Sequence, residues 1–347
     1  MAKIDALFRE MTLMGGSDLH LEEGRKPKAR VNGELVEMAS EPLSKANLRS
    51  LLGEISGPER WQKFEAGGDL DFAYAMGEEA RFRANYLRQF TGFGAVFRII
   101  PSKVLSLQDL GAPEVFKSFA ETTSGLVVVT GPTGSGKSTT LAAIIDHINA
   151  NYCRKIVTIE EPVEFVHVSK KSIIIHREVG ADTESFMAGL KGGLKSDVNI
   201  ILVGEMRDRE TVELALTAAE MGILVFGTLH TNGAAKTVDR IIDVFPAMKK
   251  NQIRSLLANS LKGVVAQQLV KSADGKRRWA AHEILLGCSA LPGIIRAGES
   301  IKLGSVMQTH RSMGMQTLDD CLMEMVKVGK ITMDAAFVKA LDKNRFR

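Results

Sequence analysis

The stretch GLVVVTGPTGSGKSTT, Gly125 to Thr140, decides the fold of this chain. Leu126 to Thr130 form a short, almost continuously apolar run, the mark of a strand buried on both faces. Beyond the glycines, Leu141, Ile144, Ile145 and Ile148 recur on one side of a 3.6-residue period and predict a helix. Between strand and helix, Gly131, Gly136, Lys137 and Ser138 satisfy G-x-x-x-x-G-K-[ST]. Glycines let backbone N–H groups close around phosphate oxygens, and the helix N-terminus adds partial positive charge. Lys137 reaches the β- and γ-phosphates of a nucleoside triphosphate, and Ser138 can hold Mg²⁺. Thr133, Gly134, Ser135, Gly136, Lys137, Ser138 and Thr139 are therefore the candidate nucleotide-binding residues, with a nucleoside triphosphate and Mg²⁺ as the ligands they imply.

Further apolar runs, KIVTIE, NIILVG and ILVFGT, alternate with helical stretches downstream, which predicts an α/β domain with a parallel sheet covered on both faces. Ligands in such sheets lie at the carboxyl ends of the strands. Glu205 follows the run ending at Val203, with Gly204 where an aspartate is usual, and is the candidate to assist the metal. Thr228, His230 and Thr231 close the last run, and His230 is a candidate phosphate sensor. After Ile156 to Ile159 comes IEEPVEFVH, whose Glu160, Glu161 and Glu164 leave the same edge. Unpaired buried carboxylates are costly, whereas a carboxylate beside a metal and an activated water has a physical role. Glu164 is the candidate to polarise the attacking water.

The first hundred residues follow a different pattern. Ile4, Leu7, Phe8 and Met11 share a helical stripe, SDLHLEEG and KARVNGELVEM read as strands, and the second of these folds at Asn32-Gly33. A helical piece around residues 44 to 65 precedes three short alternating segments, DLDFAYAM, ARFRANYL and GAVFRII. This predicts a small α+β domain over residues 1–100, an interdomain linker over 101–113 and an α/β domain carrying the phosphate loop over 114–347. From about residue 290 the pattern of Met307, Leu318, Leu322 and Met325 predicts a helical tail.

Composition narrows the function classes. With 45 Lys and Arg against 41 Asp and Glu, and 6% aromatics, the chain has neither a basic run nor an aromatic stripe for nucleic acid. Cys153, Cys288 and Cys321 are far apart and form no CxxC pair, which fits a reducing compartment and not structural zinc. Charges within MAKIDALFREM and the lack of a long apolar run predict a cytoplasmic protein without membrane insertion.

Taken in order, the glycine-rich loop, IEEPVEFVH, ILVGEMRDRET and GTLHTNGAAKTVDRIIDVFP resemble the Walker A, Asp box, atypical Walker B and His box of secretion-superfamily ATPases. The nearest resemblance is to PilT-like type IV pilus retraction motors, from SDLHLEEG through ARFRAN and AVFRIIP to GMQTLDDCL. It implies a PAS-like N-terminal domain, a RecA-like ATPase core, a homohexamer with ATP between subunits, and work against an inner-membrane platform protein of the PilC kind at its cytoplasmic side. It further implies that Glu164 is the catalytic carboxylate, Glu205 the metal-side one and His230 the phosphate sensor, while Arg83 and Arg98 reach the phosphates of an adjacent subunit. Glu161 stands where the family usually has Asp, and Lys195, Val198 and Asn199 replace its usual arginine, proline and aspartate. Pro292 and Gly293 in SALPGIIRAGES depart from the AIRNLIRE-like segment associated with retraction. An accessory PilU-like paralogue partnering another retraction ATPase, a pilus-extension or type II secretion ATPase, and a nucleotide-sensing adaptor with little turnover are the alternative readings.

Overall fold

The computed structural model describes residues 2–31, 33–77, 79–100 and 103–347. The chain divides into two units, one made of the residues up to 103 together with 161–166, the other of 104–160 and 167–347.

In the first unit, β1 (Gly16–Glu22), β2 (Lys28–Val31), β3 (Glu34–Glu37), β4 (Leu70–Met76), β5 (Ala80–Gln89) and β6 (Gly92–Ile100) form a sheet of order β3-β2-β1-β6-β5-β4. Every neighbouring pair is antiparallel. The β2–β3 hairpin pairs Val31 with Glu34, and Asn32 of its expected turn lies outside the described residues. Helix Asp5–Leu13 buries the predicted stripe, with Phe8 stacked on Phe82 at a centroid distance of 3.9 Å. Such aromatic pairs add to the stabilisation from apolar burial. The helical piece expected around residues 44 to 65 is two helices, Lys45–Ser56 and Pro58–Ala66. Gly57, at φ 77°, ends the first and Pro58 opens the second, since proline has no N–H to donate to the preceding turn.

In the second unit, β7 (Gly125–Thr130), β8 (Lys155–Glu160), β9 (Ile173–Glu178), β10 (Ile200–Val203), β11 (Leu224–Leu229), β12 (Leu261–Lys271) and β13 (Arg278–Leu286) form a sheet of order β13-β12-β7-β11-β10-β8-β9. All neighbours are parallel except β12 and β13. The parallel α/β core expected from the four apolar runs is therefore present, extended by β9 on one side and by an antiparallel hairpin on the other. β7, β10 and β11 are buried along their whole length, as strands covered on both faces must be. Helix Lys137–Asn151 packs Leu141, Ile144, Ile145 and Ile148 into the core.

Within the segment expected to link the domains, Pro101 and Ser102 lie outside the described residues, and Leu107 joins the core of the second unit. Ser106 and Asp109 fix a turn there: each backbone N–H donates to the other's side chain at 3.0 Å. At the C-terminal end, helices Leu291–Ala297, Leu303–Thr309, Leu318–Lys327 and Met333–Lys339 continue the chain. Leu318, Leu322 and Met325 pack with Val270 of β12 and Ala281 of β13. Among the described residues no helix is long and apolar enough to cross a membrane.

Candidate active site

β7 delivers the chain into the glycine-rich loop, and helix Lys137–Asn151 starts directly after Gly136. Gly136 lies in the left-handed region at φ 86°, where a side chain would be strained. No side chain caps the N-terminus of this helix, so its first amides remain open to an anion. Lys137 is buried, and its ammonium donates to the carbonyls of Gly131 at 2.9 Å and Pro132 at 3.2 Å. These are weak acceptors for a full charge compared with a phosphate. The hydroxyl of Ser135 is buried and has no hydrogen-bond partner among the described residues. A helix N-terminus with no side-chain cap, a buried ammonium turned onto the loop carbonyls of Gly131 and Pro132, and the buried Ser135 hydroxyl fit a polyphosphate. Ser138 sits in the first turn, half-buried, with Thr139 beside it and Thr133 and Gly134 exposed before it.

β8 and β10 run side by side, with Ile159 opposite Val203, and the Gly204 N–H donates to the Ile159 carbonyl at 2.8 Å. A Cβ at Gly204 would lie 3.1 Å from that carbonyl oxygen and 3.2 Å from the Glu160 Cα. The close approach explains glycine where an aspartate is usual. The acid is displaced to Glu205, whose carboxylate meets Arg207 at 2.7 Å and His230 Nε2 at 3.2 Å. Burial pushes the Glu205 carboxyl up, but the Arg207 guanidinium and His230 outweigh it and hold the group below the usual carboxylate range. The structure thus joins two residues that the sequence proposed separately, and adds Arg207.

The turn after β11 is anchored from β7. The Thr130 hydroxyl lies 2.8 Å from that of Thr231, which lies 2.7 Å from that of Thr237 in helix Ala234–Asp243. Thr228 donates its hydroxyl to the Gly204 carbonyl, tying this strand end to the one bearing Glu205. Glu283 of β13 accepts the Ala234 N–H at 2.6 Å, placing a buried carboxylate at the start of that helix. His230 remains exposed at the strand end.

Glu160 ends β8, half-buried, and Glu164 lies four residues further on, half-buried, in the segment 161–166 that groups with the first unit. His167, at the end of the same stretch, is buried and its pKa falls to about 4, first through desolvation and then through the neighbouring His176. Arg83 of β5 and Arg98 of β6 face each other across the pairing of these strands, and both are exposed. Arg98 donates from Nε to Asp18 at 2.7 Å, and Arg83 lies 3.9 Å from Asp71. Burial would raise the Asp18 carboxyl, yet Ser17 and Arg98 hold it below its ordinary value. Adjacent like charges on one face repel unless an anion or carboxylates offset them.

Residues 1–321 match the family described as type II/IV secretion system protein. The chain belongs to that family. It is 49% identical over 326 residues to the type IV pilus retraction ATPase PilT of Pseudomonas aeruginosa, covering 94% of each chain. It is 37% identical to the type IV pilus ATPase PilU of the same organism, over 99% of this chain and 90% of that one. The fold matches a crystal structure of the pilus retraction motor PilT with bound ADP at a TM-score of 0.91 and 37% identity, covering 99% of this chain and 98% of that one. The secretion ATPase fold, with an N-terminal domain preceding a RecA-like core, is therefore the fold of this chain.

Proposed function

We propose that this chain is the ATP-hydrolysing motor of type IV pilus retraction, a homohexamer acting at the cytoplasmic side of an inner-membrane platform protein. The observation that carries this reading is the 49% identity to a retraction ATPase along nearly the whole of both chains. That identity exceeds the 37% to PilU, and so favours a principal motor over an accessory paralogue.

ATP binds with its β- and γ-phosphates on the amides that open helix Lys137–Asn151 and on the Lys137 ammonium. Ser138, with Glu205 assisting through water, would hold Mg²⁺, which neutralises phosphate charge as the terminal bond breaks. Glu164 accepts the proton of the attacking water, and His230, already paired with Glu205, senses the terminal phosphate. Arg83 and Arg98, exposed in the first unit, supply positive charge to the phosphates bound by a neighbouring subunit.

Phosphate release from ATP by the purified protein is expected to stop on adding EDTA and to return with excess Mg²⁺. Turnover that survives chelation would remove Ser138 and Glu205 from a metal role. Cells lacking the gene are expected to accumulate surface pili and to lose twitching motility, because extension then runs unopposed. Loss of pili instead would assign the chain to extension. Nucleotide binding without measurable turnover would make it an adaptor.

A further inference from the structure

We infer that Gln267, oriented by His282, is a positioning residue that holds the phosphate-binding loop in its working shape before nucleotide arrives. The inference rests on reading Gly131 to Ser138 as the nucleotide site, and extends that site to two side chains outside the motif.

β12 runs parallel to β7 with Ala266 beside Thr130, which brings the next residue, Gln267, against the start of the loop. Gln267 is buried, so each of its polar atoms needs a partner. Its Nε2 donates to the Ser135 carbonyl at 2.7 Å, and its Oε1 accepts the Thr140 hydroxyl at 2.7 Å. Ser135 lies in the loop and Thr140 in the first turn of the helix, so one amide clamps both sides of the phosphate-binding turn. The orientation of the amide is determined by its surroundings: the opposite flip would set its oxygen against the Ser135 carbonyl oxygen. Oε1 must therefore face donors, and the second is His282 Nε2 at 3.1 Å.

β12 and β13 pair Gln267 directly with His282. The imidazole is buried and stands edge-on to Phe116 at a centroid distance of 5.1 Å. Its backbone N–H donates to Cys321 Sγ at 3.4 Å and its carbonyl accepts from Gln316 Nε2 at 2.9 Å, so the ring has a fixed base. Desolvation lowers the His282 pKa to about 4, which keeps the ring neutral, and because Gln267 Oε1 can only accept, the ring proton is assigned to Nε2.

The geometry has a direct effect on the loop. In a planar trans peptide the carbonyl and the following N–H point in opposite directions. Drawing the Ser135 carbonyl toward Gln267 therefore turns the Gly136 N–H away from β12. The glycines of the motif also meet this residue. A Cβ on Gly131 would come 2.2 Å from the Gln267 carbonyl oxygen, and one on Gly136 would come 2.9 Å from Gln267 Nε2. Both positions are glycine where Gln267 presses on the loop.

The test is nucleotide affinity set against turnover. Gln267→Leu keeps the side-chain size and removes the clamp, so the loop must be ordered by the phosphates themselves. Its Kd for a fluorescent ADP in Mg²⁺ and its KM for ATP are both expected to rise about tenfold, with kcat within about twofold of wild type. His282→Leu should raise the same two quantities, whereas His282→Gln, which retains a donor at the Nε2 position, should restore them. The Gln267→Leu/His282→Leu double variant should be no worse than Gln267→Leu alone, because both act through one contact. If Gln267→Leu does not fold, Gln267→Glu and the two His282 variants carry the test. Gln267→Glu keeps the acceptor, loses the donor to Ser135, and is expected to bind the fluorescent ADP at least tenfold more weakly. Wild-type Kd and KM in folded variants, or a fall in kcat alone, would overturn the positioning role. ADP affinity is read on the purified chain without pili, so a failure of the retraction reading leaves this result unaffected.

Discussion

Glu164→Gln is expected to bind ATP within about threefold of the wild-type affinity while its turnover falls about 10²- to 10⁴-fold, the usual contribution of a positioned general base. The carboxamide keeps the shape and hydrogen-bonding reach of the carboxylate but cannot take a proton. Lys137→Ala should differ in kind, weakening ATP binding as well as turnover, because the ammonium already meets the phosphates in the ground state. The choice of Glu164 comes from the sequence pattern after β8; the structure places the end of β8 beside that of β10, with Gly204 against Glu160. Fluorescent-nucleotide titration with single-turnover phosphate release separates the two variants. Near-normal turnover in Glu164→Gln would transfer the role to Glu160 or Glu205.

Arg83→Ala is expected to lower turnover about 10³- to 10⁵-fold, the range for an arginine supplied to a transferring phosphoryl group. Guanidinium suits the task because its planar donors bridge two phosphate oxygens and it stays charged at every working pH. Arg83 and Arg98 sit opposite each other on exposed strand positions, each beside a carboxylate, Asp71 and Asp18. If they act on a neighbour's nucleotide, Arg83→Ala and Lys137→Ala proteins, each inactive alone, should regain single-turnover hydrolysis when dissociated and reassembled together. An Arg83→Ala loop facing a Lys137→Ala neighbour is then a complete site. No recovery in verified mixed rings would exclude supply from the neighbour.

Much of the second unit was legible because its determinants are local. A buried parallel strand must be apolar on both faces, a phosphate loop must be rich in glycine, and the helix after it must carry an apolar stripe, so β7, β8, β10 and β11 stand out as runs. β12 and β13 do not. Gln267 and Gln268 interrupt the first, and His282 and Glu283 interrupt the second. The polar residues that hide these strands are among those that brace the phosphate loop and the turn after β11. Their partners, Ser135, Thr140 and Ala234, lie far away in sequence, and no spacing rule connects them. The pairing of Glu205 with His230 and Arg207 was hidden for the same reason, since it depends on how β10 and β11 lie together. In the first unit the alternating strands and the Phe8 stripe were legible, as was the hairpin. The break at Gly57-Pro58 was written in the sequence as a helix stop followed by a helix start, and a single helical piece overlooks it.

The central claim is that ATP hydrolysis by this chain withdraws pili. Time-lapse imaging of fluorescently labelled pili tests it most directly, in cells lacking the chain and every paralogous retraction ATPase and supplied with either wild type or Glu164→Gln. The account predicts that wild type alone restores shortening of extended pili, and that Glu164→Gln leaves them extended although it is present at the same level. Pili that shorten equally well with Glu164→Gln, or that stay extended with wild type until a paralogue is returned, would contradict it.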